Sequence, residues 1–345
     1  MKKILNICLV ILLTVVVVGC SNDDTPSSEL VIVKVDLTLK AAGGSGSVQY
    51  TSTVGEVSAK SSAEWCKIID VTNNQVNISL DVNTGYEGRT ALLTLTNGFS
   101  TQQLTVIQEG AVWIYDKNDT EFRVGDGIGE IPVTMSSSLP IEVNIPESVS
   151  DWLSFKLTDA GFKFIVEKNE TGEVRGAQVT VKTGVRETVY SVLQYEAADL
   201  LGEWGGVAQM LGLGLNGVYQ FSPNPSISEK SGGGYTLSLP MTKIAGVTIS
   251  LAMTYSQGAF LITTPQVQSI KLSGYQGIMV GADDKSYYFS KSTFVVAPVI
   301  LDDGEIVLTC LSDAYLMLGF FTTTIPSNTT FTKNAIEFPI IQLYR

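Results

Sequence analysis

The chain is predicted to be all-β: two tandem immunoglobulin-like β-sandwiches followed by a C-terminal antiparallel β-barrel or sandwich domain. Three observations carry that expectation. Short segments alternate apolar and polar residues with period two, as half-buried strands do. Clusters of Gly, Asn, Asp and Pro punctuate them, as turns require. Six positions recur at a nearly constant interval, the mark of a duplicated module.

The repeat joins Trp65, Asn83, Arg89, Ala91, Thr94 and Gln108 to Trp152, Asn169, Arg175, Ala177, Thr180 and Gln194. The tryptophans stand 87 positions apart and the other five pairs 86. Each copy reads as all-β, and in the first the segments Val48–Tyr50, Val76–Val82, Thr90–Thr96 and Leu104–Gln108 alternate as strands do. Asn97-Gly98 between two of them predicts a hairpin with a type I′ turn, whose two central residues need φ > 0. Thr183-Gly184 holds the matching place in the second copy. Short strands at this spacing in about 80 residues are the signature of an immunoglobulin-like sandwich.

These residues also carry a family likeness. A Gly-Ser-Gly before a Val-bearing strand, Trp65, Asn83 and Arg89 six apart, and the closing Val106-Ile107-Gln108-Glu109-Gly110 together resemble a BACON domain. The second copy ends Leu193-Gln194-Tyr195-Glu196 without the final Gly, so it resembles a divergent member. The likeness covers roughly residues 31–197. It implies immunoglobulin-like modules on Bacteroidetes surface proteins, with carbohydrate or mucin binding as the attributed role and a spacer role as the alternative.

A residue shared by both copies is read as serving the fold. Trp65 and Trp152 are expected in the core, Asn83 and Asn169 in turns, and Gln108 and Gln194 closing the final strand. Arg89 and Arg175 are expected to pair with carboxylate or carbonyl oxygens. A residue found in one copy only is free to serve something else. Tyr86 stands where the second copy has Gly172, and Phe99 where it has Val185. These two aromatics near loop tips are the candidate ligand-stacking residues of the first module. Trp113 and Tyr115, directly after Gly110, are expected to pack at the junction between copies.

The domain plan is residues 1–19 signal peptide, 20–30 acylated cysteine and tether, 31–110 and 111–197 the two modules, and 198–345 a C-terminal all-β domain. The last opens with Gly202-Glu203-Trp204, a Gly-x-Trp that resembles the start of lipocalin-like (calycin) barrels. Strand-like runs follow at 217–221, 234–240, 247–254, 259–263, 286–289, 305–310 and 336–343, with the apolar run Leu316–Phe321 read as a buried strand. Gly212-Leu-Gly-Leu-Asn-Gly lacks the Lys and Ser/Thr of a phosphate loop. Asp283-Asp284 and Asp302-Asp303-Gly304 are read as turns, since neither matches a calcium-binding loop.

Lys2-Lys3 and the apolar run Ile4–Val18 form a secretory signal, and Gly19-Cys20 resembles a lipobox. That resemblance implies cleavage before Cys20 and acylation (palmitate) of Cys20, the expected lipidation site, with acyl chains supplying the membrane hold. Ser21 after the cysteine favours the outer membrane, and Asn22-Asp23-Asp24 resembles an export signal to the cell surface. Cys66 and Cys310 then remain as buried thiols.

Composition narrows the function. The formal charge is −12, with 22 Lys+Arg against 34 Asp+Glu, so a nucleic-acid partner is not expected. His is absent, which removes every His-dependent nucleophile and His-ligated metal site. No catalytic residue, metal or cofactor is expected. Three classes remain: a non-catalytic surface lipoprotein that binds carbohydrate or glycoprotein; a structural spacer or assembly component beside outer-membrane glycan-utilisation proteins; and a glycosidase using two carboxylates. The binder is favoured. Tyr235, Tyr255, Tyr275, Tyr287 and Tyr288 are available for ligand contact in the C-terminal domain, and alternation along strands places about half of them in the core.

Overall fold

The computed structural model describes residues 29–115, 120–241 and 247–345. Cys20 and the signal and export segments lie outside the described residues, as do Asn22–Ser28 of the expected tether. The chain divides into two compact units, one ending at Gly110 and one running from Ala111 to Arg345, with Thr84–Tyr86 counted in the second.

The first unit holds β1 (Leu30–Asp36), β2 (Thr38–Leu39), β3 (Gly44–Ser52), β4 (Ser58–Ser61), β5 (Cys66–Val71), β6 (Gln75–Leu80), β7 (Arg89–Thr96) and β8 (Thr101–Gln108). Two four-stranded sheets, ordered β1-β3-β6-β5 and β2-β8-β7-β4, enclose a core of Val48, Tyr50, Val76, Ile78, Leu93, Leu95 and Val106. The inward residues alternate along β6 and β7, as the sequence periodicity requires. The hairpin after β7 differs from the expected type I′ turn. Thr96 pairs with Thr101, leaving a four-residue loop in which only Gly98 has positive φ (88°). Asn97 is buried, and its Oδ1 accepts hydrogen bonds from the backbone N–H groups of Phe99 and Ser100, so the side chain shapes the turn that φ > 0 was expected to shape.

The second unit begins with β9 (Trp113–Tyr115), β10 (Glu121–Val124), β11 (Gly129–Ser137), β12 (Glu142–Asn144), β13 (Leu153–Thr158), β14 (Gly161–Val166), β15 (Arg175–Thr183) and β16 (Arg186–Gln194). Their sheets are ordered β9-β11-β14-β13 and β10-β16-β15-β12, the order of the first unit strand for strand. Even the parallel pair recurs: β2 runs parallel to β8, and β10 parallel to β16. Trp113 and Tyr115, expected at the junction, belong to the second sandwich's own packing. They stack at 5.0 Å between ring centroids and pack on this sandwich's own core.

The C-terminal domain adds β17 (Gly202–Glu203), β18 (Gly205–Gly212), β19 (Leu215–Gln220), β20 (Ser226–Glu229), β21 (Tyr235–Met241), β22 (Val247–Ser256), β23 (Ala259–Thr264), β24 (Gln266–Leu272), β25 (Tyr275–Ala282), β26 (Tyr287–Tyr288), β27 (Ser292–Ile300), β28 (Ile306–Cys310), β29 (Tyr315–Phe321) and β30 (Phe331–Tyr344). Among the described residues these form one continuous antiparallel sheet whose backbone ladder does not close into a barrel. Instead β24 meets β22 through side chains. The Gln266 amide accepts from Ala252 N and donates to Ala252 O, at 2.7 and 2.8 Å, and Gln268 Oε1 accepts from Ser250 N. The glycine-rich Gly212–Gly217 segment is the β18–β19 hairpin, with Leu213 and Gly214 both at positive φ in its two-residue loop.

The core of this domain extends into the second sandwich, taking in Leu193, Tyr195 and Leu200 beside Phe260, Phe294 and Phe338. Ile300 lies against Gly176, where a Cβ would stand 2.9 Å from its Cδ1, so β15 needs glycine there to admit it. The Tyr195 hydroxyl donates to Gly258 O, and burial pushes its pKa up to about 12. Cys66 is buried and Cys310 half-buried, and both are free thiols.

Candidate functional site

The residues shared by both copies form one polar lock in each sandwich. Arg89 Nε donates to Gln108 Oε1 at 2.8 Å, and Arg175 Nε to Gln194 Oε1 at the same distance. Each guanidinium lies over its tryptophan: Arg89 4.4 Å from the Trp65 centroid, Arg175 4.6 Å from that of Trp152. Gln108 donates to the carbonyls of Lys40, Ala41 and Asp81; Gln194 donates to those of Gly125, Gly127 and Glu167. Asn83 and Asn169 brace the following loops through Glu87 O and Glu173 O, both at 2.9 Å. Both glutamines are 0% exposed. The hydrogen bonds of the lock run inside each sandwich, so the shared residues hold the fold. Trp152 is buried, whereas Trp65 is half-buried and packs at the core's edge.

The C-terminal domain repeats the tryptophan–arginine motif once more. Arg345 stacks 4.2 Å from the Trp204 centroid and donates to Asp199 O and Leu201 O, while Trp204 Nε1 donates to Leu200 O. Trp204, the tryptophan of the Gly-x-Trp, is thus a buried clasp under the 3₁₀ turn Ala197–Leu200.

Tyr86 and Phe99 are both exposed, at 64% and 76%. They do not form one stacking surface. They flank opposite ends of the eight-residue strand β7, about 26 Å long at 3.3 Å per residue. Within the second unit the Arg186 guanidinium covers the Tyr86 ring, so that face is already occupied.

A stronger constellation lies on the outer side of β25 and β29. The two-residue strand β26 pairs back onto β25, and β29 pairs β30 so that Phe321 faces Phe331. This brings Tyr287, Phe289, Phe321 and Phe331 together, with Tyr287–Phe331 at 5.3 Å edge-on and Phe289–Phe331 at 5.5 Å. Phe321 is buried beneath, Phe289 and Phe331 are half-buried, and Tyr287 is 45% exposed. Glu337 lies beside Tyr287, and Asp283 lies in the turn before β26. Asp283 accepts from the Tyr288 hydroxyl and from the backbone N–H groups of Lys285 and Ser286. Those bonds, Tyr288 first, hold its pKa below the usual aspartate value. Glu337 accepts from the Tyr315 hydroxyl at 3.0 Å, and Tyr315 and Tyr287 are both raised, by burial first and by Glu337 second. Asp283 therefore stays anionic in ordinary solution and the tyrosines stay protonated. The arrangement offers aromatic surface and oxygen acceptors.

Of the five tyrosines considered from sequence, Tyr235 and Tyr255 are half-buried against Phe260, Tyr275 and Tyr287 are exposed, and Tyr288 is tied to Asp283. Sequence reasoning missed Phe289, Phe331, Tyr315 and Glu337. No spacing links them; only the β25-β29-β30 pairing does. Among the described residues no group of three or more Cys, Asp or Glu side chains is placed to hold a metal ion. No helix among them is long and apolar enough to cross a membrane.

Two sandwiches of identical strand order define the class: a tandem of immunoglobulin-like modules carrying a C-terminal antiparallel sheet. Residues 55–109 match the BACON family, described as "Putative binding domain, N-terminal", and the first sandwich contains that domain. No curated protein matches the chain. Among solved structures, the chain is similar to a chimeric titin Z1Z2 carrying a decorin peptide, at 9% identity over 50% of this chain and all of that one, with a TM-score of 0.31. A three-immunoglobulin fragment of titin matches at 10% identity over 86% and 98% of the two chains, TM-score 0.29. An endo-fucoidan hydrolase of glycoside hydrolase family 107 matches at 10% identity over 52% and 31%, TM-score 0.27.

Proposed function

We propose that the protein is a non-catalytic binder of carbohydrate or glycoprotein, held at the outer membrane by acyl chains on Cys20 and facing the cell exterior. The observation that carries the binding role is the Tyr287-Phe289-Phe331 cluster with Glu337 beside it. Aromatic faces suit the C–H faces of sugar rings, and charge-assisted hydrogen bonds to carboxylates suit their hydroxyls. The BACON match in the first sandwich is compatible with the same role. The polar locks favour a second reading for the two sandwiches, as spacers that display the C-terminal domain, because their recurrent residues are spent on the fold.

Affinity-gel retardation and glycan-array binding test the reading on the chain lacking residues 1–19. Tyr287→Ala combined with Glu337→Gln is expected to weaken retention at least tenfold. Unchanged retention would reject the cluster as the contact surface. Palmitate labelling tests the anchor: Cys20→Ala should lose both the label and membrane partition, and partition that survives the change rejects it.

A further inference from the structure

The two sandwiches finish the same sheet edge in different ways. Among the described residues, β5 and β13 each stand last in their sheets, beyond β6 and β14. The backbone fixes their equivalence: Asp81 N donates to Trp65 O and Glu167 N to Trp152 O, at 2.9 and 2.8 Å. In the first sandwich the ladder slips between Ile68 and Asp70, a β-bulge followed at once by a carboxylate. Bulges and edge charges keep strand edges from pairing with other chains. β13 has no such slip. It pairs β14 in unbroken register from Leu153–Val166 to Thr158–Gly161.

The side chains make this straight edge apolar on one face. Directly opposite residues of an antiparallel pair share a face. Phe155 lies opposite Phe164 and Leu157 opposite Phe162, and both of those rings are buried in the core. Phe155 and Leu157 therefore belong to the core side of the sheet, yet they are 39% and 53% exposed. Leu153 at the start of the strand is buried, so the apolar row runs from the core out to solvent. The other face carries Ser154, Lys156 and Thr158, all exposed, and Lys156 is the one charge on the strand.

We propose that this edge pairs with the β13 edge of a second copy of the chain, in antiparallel register centred on Phe155. That register sets Phe155 against its own counterpart, Leu153 against Leu157 and Ser154 against Lys156. Apolar then meets apolar on one face, and no like charges meet on the other. Centred one residue later, Lys156 would face itself; centred one residue earlier, Leu157 would face Asp151. The edge is thus its own complement, which identifies the occupant as a second copy. A six-residue edge is small beside the about 1,200–2,000 Å² of a lasting interface, so the pairing is weak and follows concentration. Asp151 and Asp159 come opposite each other just beyond the ladder, so added salt should tighten the pair. Pairing doubles every binding surface on the chain and so raises avidity without a new contact.

Sedimentation velocity of the chain lacking residues 1–19, over a concentration series under reducing conditions that exclude disulfides, tests this. A dimer that grows with concentration and tightens with salt is expected. Phe155→Lys and Phe155→Glu should each weaken it at least tenfold, because each sets like charges face to face. Mixed in equal amounts, the two variants should dimerise again, since position 155 meets itself. Leu157→Lys should also weaken the dimer, whereas Ile69→Lys, on the bulged edge of the first sandwich, should leave it unchanged. All three positions are exposed, and thermal melting checks that each variant is folded. A monomer at every concentration overturns the inference, as does a dimer that survives both Phe155→Lys and Leu157→Lys. So do charge variants that fail to pair when mixed, association that salt weakens, or a dimer that Ile69→Lys dissolves.

Discussion

The two sandwiches share strand order, the parallel edge pair and the Trp-Arg-Gln-Asn lock, yet they differ where the lock's surroundings differ. In the second, the tryptophan sinks from half-buried to buried, and Ala41 gives way to Asp126. The backbone carbonyl of each of these last two accepts from the lock's asparagine N–H. Duplication has thus preserved the hydrogen-bonded frame and let the contents drift. What stays constant measures what the fold needs, and what changes marks where function can enter.

The sharpest way to break that comparison is to remove the tryptophans. Trp152→Ala should cost about 4 kcal/mol, as large buried aromatics do, and Trp65→Ala about half as much. Urea unfolding of each variant reads both, and equal losses would show that burial does not separate the copies. The glutamines test the frame itself. Gln108→Ala and Gln194→Ala each leave an arginine Nε without its acceptor and remove one donor from three carbonyls, so each should cost about 2 kcal/mol. A difference above about 1 kcal/mol between them would mean the locks are not equivalent.

The smallest effect concerns Asp126, which has an alanine as its counterpart in the first copy. Burial raises its pKa most, the Asp199 and Glu196 charges raise it further, and the Asn169 hydrogen bond opposes the rise. A raised native carboxyl contributes stability that is fully present below the ordinary aspartate value of about 3.9 and is lost as pH rises through its native value. Asp126→Asn should therefore raise the melting temperature of the second unit slightly at pH 7, and the gain should vanish toward pH 3. A gain that is constant with pH would assign the effect to something other than ionisation.

Much of this frame was legible in residue order, because a lock repeated at a constant interval writes itself into the spacing of Trp, Asn, Arg and Gln. Its wiring was not. Gln108 meets carbonyls of Lys40 and Ala41, 68 and 67 positions earlier, and nothing local announces them. Asn97-Gly98 marks a hairpin in residue order, but its type is set by a buried asparagine side chain that takes the place of one positive φ. Tyr86 and Phe99 drew notice as loop aromatics, yet a strand of eight residues holds them apart. The cluster of Tyr287 and Phe331 is a product of strand pairing.

The glutamine seam between β22 and β24 has a consequence for how the C-terminal domain behaves in company. Ser250 and Ala252 present amide edges that a neighbouring backbone would normally cover, and here two flexible side chains stand guard over them. An unguarded strand edge is a template for other chains. The loss of one glutamine would thus leave the monomer nearly intact while turning a private surface into a sticky one.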